Sequence, residues 1–161
     1  MVSTYDFWKH FKVTLENFKG NILTKKERDY RLSGFHKEII SKDIDGELVP
    51  YLEKINTFPF IVTTQSCCGH FGNNHRRAHF DFRSMLGEAD TINLLLRPVC
   101  DKFDATWVEL MLEGDRLRYC LWLDNDKWRQ QFKYFIYLLN ANYVFLLYSA
   151  RCARRKNKCI G

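Results

Sequence analysis

The sequence predicts an α+β domain of two layers, an antiparallel or mixed sheet of about four strands covered by helices in the order α-α-β-β-α-β-β-α. Three observations carry that expectation. The run Phe60 to Gln65 is rich in β-branched residues, and Ala78, Phe80 and Phe82 alternate with His79, Asp81 and Arg83 at the period of a strand. Two further β-rich runs, Thr106 to Leu112 and Leu117 to Leu123, flank the turn residues Glu113-Gly114-Asp115-Arg116 and read as a hairpin. Elsewhere apolar residues recur at helical spacing. The 161 residues, 46% of them hydrophobic, suit one domain spanning 1–161 with a basic tail from residue 151, and no internal repeat or linker divides them.

Taken in order, Ser3-Thr4-Tyr5-Asp6 resembles a capping box, and Tyr5, Trp8, Phe11, Leu15 and Phe18 form the apolar stripe of a first helix ending at Gly20-Asn21. Thr24 and Glu27 repeat the cap, which predicts a short, strongly charged helix over Lys25 to Leu32 before Ser33-Gly34. A third helix opens at Asp45-Gly46, carries Leu48, Leu52 and Ile55 on one side, and tolerates Pro50 near its first turn. Glu88 to Lys102 predicts a helix that Pro98 should kink or shorten. Asn125 can cap a last helix from Asp126 to about Tyr148, with Trp128, Phe132, Phe135, Ile136 and Leu139 turned to the core. Its apolar end is interrupted by Asn140 and Asn142 and falls short of the roughly 20 residues a bilayer crossing needs.

The formal charge of +6 favours an anionic partner, and it is concentrated at Lys25, Lys26, Arg28 and Arg31, at Arg76 and Arg77, and from Arg151 to Lys158. The six cysteines show no framework spacing and no secretory leader pattern precedes them, so free thiols in a reducing cytoplasm are expected.

The chemistry gathers where the first strand should end. Thr64, Gln65, Ser66, Cys67, Cys68, Gly69 and His70 bring hydroxyl, amide, thiol and imidazole groups together, and Gly69 permits a positive φ or a close approach. The basic loop Asn73-Asn74-His75-Arg76-Arg77 follows, then His79. Three functional readings are open beside a purely structural one, in which Cys67 packs as a small apolar residue while Ser66 and Gly69 shape a turn. Cys67, His70, His75 and His79 offer donors for tetrahedral zinc, though an i, i+4 pair ending on a strand does not converge as it would on a helix. Cys67 or Cys68 with His70 or His75 as base makes a thiolate nucleophile, without an evident third orienting group. The neutral hydrogen-bonding groups beside Arg76 and Arg77 suit an anionic or purine-like ligand with no metal.

Asp45-Gly46-Glu47-Leu48, then Ile55-Asn56, then Val62-Thr63-Thr64-Gln65-Ser66-Cys67-Cys68-Gly69-His70 resembles the signature of the tRNA wybutosine-synthesising protein 3 family, over roughly residues 45 to 83. In that family a helix ending in Ile-Asn precedes a strand running into T-T-S-S-C-S-G-R. Gln65 stands for its first motif serine, Ser66 for the second, Cys67 for its cysteine, Cys68 for the next serine and His70 for its arginine. The resemblance implies a small α/β enzyme that transfers a methyl group from S-adenosylmethionine to a tricyclic guanosine in tRNA. It implies catalytic roles for Ser66, Cys67 and His70, with Thr64, Gln65, Cys68, Gly69, His75, Arg76, Arg77 and His79 around substrate or cofactor. A non-enzymatic nucleic-acid-binding or zinc-binding module on the same fold is the alternative.

Overall fold

The computed structural model of the protein describes residues 22–69, 77–114 and 116–158, with side chains to residue 156. The predicted first helix over residues 5–18 lies outside them. Helix α1, Lys25–Ser41, is followed by α2, Val49–Asn56, and then by strands β1, Ile61–Cys67, and β2, His79–Ser84. The next helix, α3, runs Glu88–Thr91, widens to a π turn at Ile92–Leu96 and resumes at Arg97–Lys102. The hairpin β3, Trp107–Glu113, and β4, Arg116–Trp122, leads to α4, Trp128–Ala141, and α5, Tyr143–Lys158.

The four strands form one antiparallel sheet in the order β1-β2-β4-β3. β4 therefore inserts beside β2, and β1 and β3 are the edges. This is the predicted α+β class and element order, with the antiparallel option realised.

Strand alternation makes the two faces chemically different. Phe80 and Phe82 lie opposite Leu121 and Tyr119 of β4, and Val108 lies opposite Leu121, so one face is apolar. Phe132 and Phe135 of α4 close on it, with Phe80 and Phe132 centroids 4.7 Å apart and Phe80 and Phe135 5.0 Å apart. The other face carries His79, Asp81 and Arg83 with Arg118, Cys120 and Trp122. Where α1 meets the sheet, Arg83 is buried and forks onto Glu27, Nε and Nη2 donating to the two carboxylate oxygens at 2.8 Å each. Its Nη1 donates to the Leu117 carbonyl at 2.6 Å.

Several boundaries move from their expected places, each for a local reason. α1 does not stop at Ser33-Gly34 but continues to Ser41, because Leu32, Phe35 and Ile39 extend the packed stripe and outweigh the roughly 1 kcal/mol that Gly34 costs in a helix. It ends at Lys42, whose φ of 59° is the left-handed cap. α2 begins at Val49 rather than at Asp45-Gly46, since the Asp45 carboxylate turns away to accept the Cys68 N–H at 3.2 Å. Pro98 does not end α3. It lacks an N–H and its ring crowds the carbonyl four residues back, and the π turn before it absorbs that mismatch while Arg97 N–H reaches the Ile92 carbonyl. The last helix breaks at Asn142, whose Nδ2 donates to the Leu138 carbonyl at 3.0 Å. Residues 151–158 continue α5 as helix. No helix among the described residues is long and apolar enough to cross a membrane.

Candidate functional site

β1 is an edge strand, yet its first half is closed. Asn56 at the end of α2 acts as a substitute strand, its Oδ1 accepting the Thr63 N–H at 2.9 Å and its Nδ2 donating to Thr63 Oγ1 at 2.8 Å. Arg28 fastens the same corner by donating Nε to the Ile61 carbonyl at 3.0 Å and Nη2 to the carbonyls of Asn56 and Phe58 at 2.7 and 2.9 Å.

After Thr63 the strand bulges. Thr63 lies opposite Phe82 and Gln65 opposite Asp81, so Thr64 is the extra residue. Its hydroxyl is buried with no hydrogen-bond partner. Here the sheet edge and α1 bound a groove of about 760 Å³. Thr64, Gln65, Ser66, Cys67 and His79 line it from the sheet. Tyr30, Phe35 and Glu38 of α1 and Asp43 beyond it supply the opposite wall.

From the groove two rows of side chains cross the sheet. Cys67 lies opposite His79, His79 opposite Trp122, and Trp122 opposite Trp107, one residue from each strand. The His79 and Trp122 centroids are 4.8 Å apart, the two indoles are 5.9 Å apart with 21° between their planes, and the Arg77 guanidinium lies 4.0 Å from the Trp107 ring centroid. His79 Nδ1 is 3.1 Å from the Arg77 carbonyl, which assigns the proton to Nδ1 and leaves a lone pair on Nε2.

The neighbouring row is Gln65, Asp81, Cys120 and Glu109. Asp81 is 1% exposed, and its Oδ1 has no hydrogen bond. Arg118 Nε lies 3.4 Å from the other oxygen without hydrogen-bond alignment. Burial pushes the Asp81 carboxyl above its ordinary range against the pull of a hydrogen bond with Cys120 and of Arg118 and His79. Burial beside Asp81 pushes the Cys120 thiol up as well. Thr64 Oγ1, Asp81 Oδ1 and Arg118 Nε are the three buried side-chain atoms that lack a hydrogen bond among the described residues. All three lie in this corner of the sheet.

The sequence-predicted residues divide into three groups. Ser66 and Cys67 belong to β1 itself rather than to a loop beyond it, because Cys67 still pairs with His79. With Thr64, Gln65 and His79 they share the groove. Cys68 and Gly69 close the strand end. Burial first, then the neighbouring Asp45, pushes the Cys68 thiol up to about 11, so it is a protonated thiol at neutral pH. Gly69 has φ 81°, and a β-carbon there would sit 2.6 Å from Asn125 Oδ1. That oxygen accepts the Ala78 N–H at 2.7 Å. Asn125 therefore sits between Gly69 after β1 and Ala78 before β2 instead of capping α4, which starts at Trp128 with Lys127 as its uncapped N-cap. Arg77 donates Nε to the Leu123 carbonyl at 2.7 Å and Nη2 to the Ala105 carbonyl. His70, His75 and Arg76 lie outside the described residues.

For zinc, Cys67 and His79 are cross-strand neighbours, His70 and His75 fall outside, and no group of three metal-capable side chains exists among the described residues. The cysteines at 67, 68, 100, 120 and 152 are free. Two of the basic residues noted in the sequence serve the fold, Arg28 at the β1 corner and Arg31 on Glu27 and Glu113 at 3.0 and 2.9 Å.

Sequence reasoning missed Asn125, Asp81, Trp107 and Trp122. A signal for the tryptophans existed, because a hairpin with Glu113 opposite Arg116 must place Trp107 opposite Trp122. The site as a whole defines an α+β domain with a polar groove at an edge-strand bulge. No family model and no curated protein matches the chain. Among solved structures it is similar to the PH1069 protein from Pyrococcus horikoshii, at 14% identity and a TM-score of 0.46, over 75% of this chain and 94% of that one.

Proposed function

We propose that the groove at the β1 bulge binds a modified nucleoside carried by tRNA, in the manner that the resemblance to the wybutosine-synthesis methyltransferases implies. The observation that carries this reading is the buried, unpartnered Thr64 Oγ1 at the bulge, where the motif residues line the groove. A buried hydroxyl without a partner costs roughly 1 to 3 kcal/mol, and a polar ligand that supplies the missing bond removes that cost.

The lining fits both halves of a methyl transfer. Hydroxyls of Thr64 and Ser66 and the Gln65 amide suit ribose and base edges, while Glu38 and Asp43 suit the positive charge of S-adenosylmethionine. When bound, that cofactor supplies an electrophilic methyl carbon. The residues of this chain would orient the acceptor nitrogen through the Gln65 amide, with His79 on the same face beside it. Cys67 lines the same groove.

Calorimetry with S-adenosylmethionine and with tRNA tests the reading. Binding of both, and loss of cofactor binding in Ser66→Ala, are expected. Absence of any cofactor heat at about millimolar concentration removes the methyltransferase reading.

A second reading, a nucleic-acid-binding module without chemistry, draws on the exposed Arg151, Arg154, Arg155 and Lys156 along α5. Its signature is tRNA affinity that falls steeply with salt in the absence of cofactor binding.

A further inference from the structure

We infer that the row His79, Trp122, Trp107 is a stacking platform for the unpaired nucleotides that flank the nucleoside in the groove. This rests on the nucleic-acid reading above and adds to it a direction and a class of target, single-stranded RNA running from the β1 edge toward the β3 edge.

The argument begins with register. Cys67, His79, Trp122 and Trp107 occupy one cross-strand row, so the groove and the tryptophan pair share a face and are joined by His79, which both lines the groove and packs on Trp122. Trp107 is 45% exposed at the edge of the sheet, although Trp122 is beside it for a partner. The exposed Trp107 ring continues a row of three aromatic side chains, and it is this continuity with the groove that makes it a contact surface.

Charge and hydrogen bonding favour bases over other planar partners. Arg77 lies over Trp107 with two of its nitrogens committed to the carbonyls of Leu123 and Ala105, so its positive charge is fixed at the outer end of the row, near where a phosphate would pass. Glu109 accepts the Trp122 indole N–H at 2.9 Å and holds that ring in place. Glu109, exposed in the adjacent row beside Trp122, is an acceptor for amino and imino groups of bases. A carboxylate beside a row of rings disfavours a lipid surface and suits donor-rich base edges. The chain's +6 charge supplies the general attraction for the backbone.

The test uses the full chain and labelled single-stranded RNA of about 12 nucleotides, with the matching duplex as control. Tighter binding of the single strand is expected, accompanied by quenching of tryptophan fluorescence. Trp107→Ala should weaken single-strand binding about tenfold, Trp107→Phe should restore most of it, and duplex binding should be unmoved. Because Trp107 is half exposed, its replacement leaves the core intact, and an unchanged melting temperature checks this. If the wild type binds RNA and Trp107→Ala binds the single strand equally well, the platform is overturned while the nucleic-acid reading stands. If the wild type binds neither RNA at low salt, both fall together. Equal preference for the duplex also overturns the platform.

Discussion

Asn125 Oδ1 stands 2.6 Å from where a β-carbon on Gly69 would lie, and the same oxygen accepts the Ala78 N–H at 2.7 Å. One side chain from the segment before α4 thus fixes both the end of β1 and the start of β2. Gly69→Ala should therefore cost about 1 to 3 kcal/mol, from a left-handed φ and a clash with a side chain that cannot leave without orphaning Ala78. Urea denaturation measures it, with Gly46→Ala as control, since nothing lies within 4 Å of a β-carbon at Gly46.

The Glu27 and Arg83 pair predicts both a large mutational loss and a pH dependence. Glu27→Ala leaves the Arg83 charge buried without its fork, a loss of about 3 to 5 kcal/mol. Burial acts to raise the Glu27 carboxyl, but hydrogen bonds from Arg83 and Arg31 hold it below its ordinary 4.5. A depressed carboxyl contributes stability that is present above 4.5 and is lost as the pH falls through the folded value. The stability gap between wild type and Glu27→Gln, followed by denaturation at a series of pH values, should narrow below 4.5.

Asp81 has the opposite sign. Its carboxyl is raised by burial, so the folded state holds its proton more tightly than the unfolded state does, and wild-type stability falls as the pH climbs from 3.8 through the raised value. Asp81→Asn should be more stable than wild type at neutral pH by about 1 kcal/mol, the relief of burying the carboxylate being partly offset by the lost attraction to Arg118. Thermal melts should show that advantage disappearing below 3.8. If the groove uses this carboxylate, the same variant loses RNA affinity while gaining stability.

Cys68 should resist alkylation. With its thiol pushed up to about 11 by burial and by Asp45, the reactive thiolate is scarce at neutral pH. Iodoacetamide labelling read by peptide mass spectrometry should find Cys68 slow, and Asp45→Asn should speed it several-fold by removing the neighbouring negative charge.

The positive φ of Gly69 was legible in the sequence, because glycine at a strand end permits it at no steric cost. The strand partners were not, because β4 reaches β2 only by crossing from β3, and nothing local encodes that insertion. Asn125 shows the same limit. Its sequence neighbourhood reads as a helix cap, yet a donor 47 residues away, the Ala78 N–H, takes the side chain instead.

By itself the sequence determined the α+β class, the hairpin, the order of elements and the inward faces of β2 and α4, since these follow from periods of two and 3.6 residues along the chain. Only the tertiary structure decided that Glu27 serves Arg83 rather than a helix cap, that Gly34 sits inside a helix, and that a cysteine, a histidine and two tryptophans from four strands stand in one row. Such choices depend on which distant group can satisfy a buried charge or hydrogen bond, and that information resides in packing between segments.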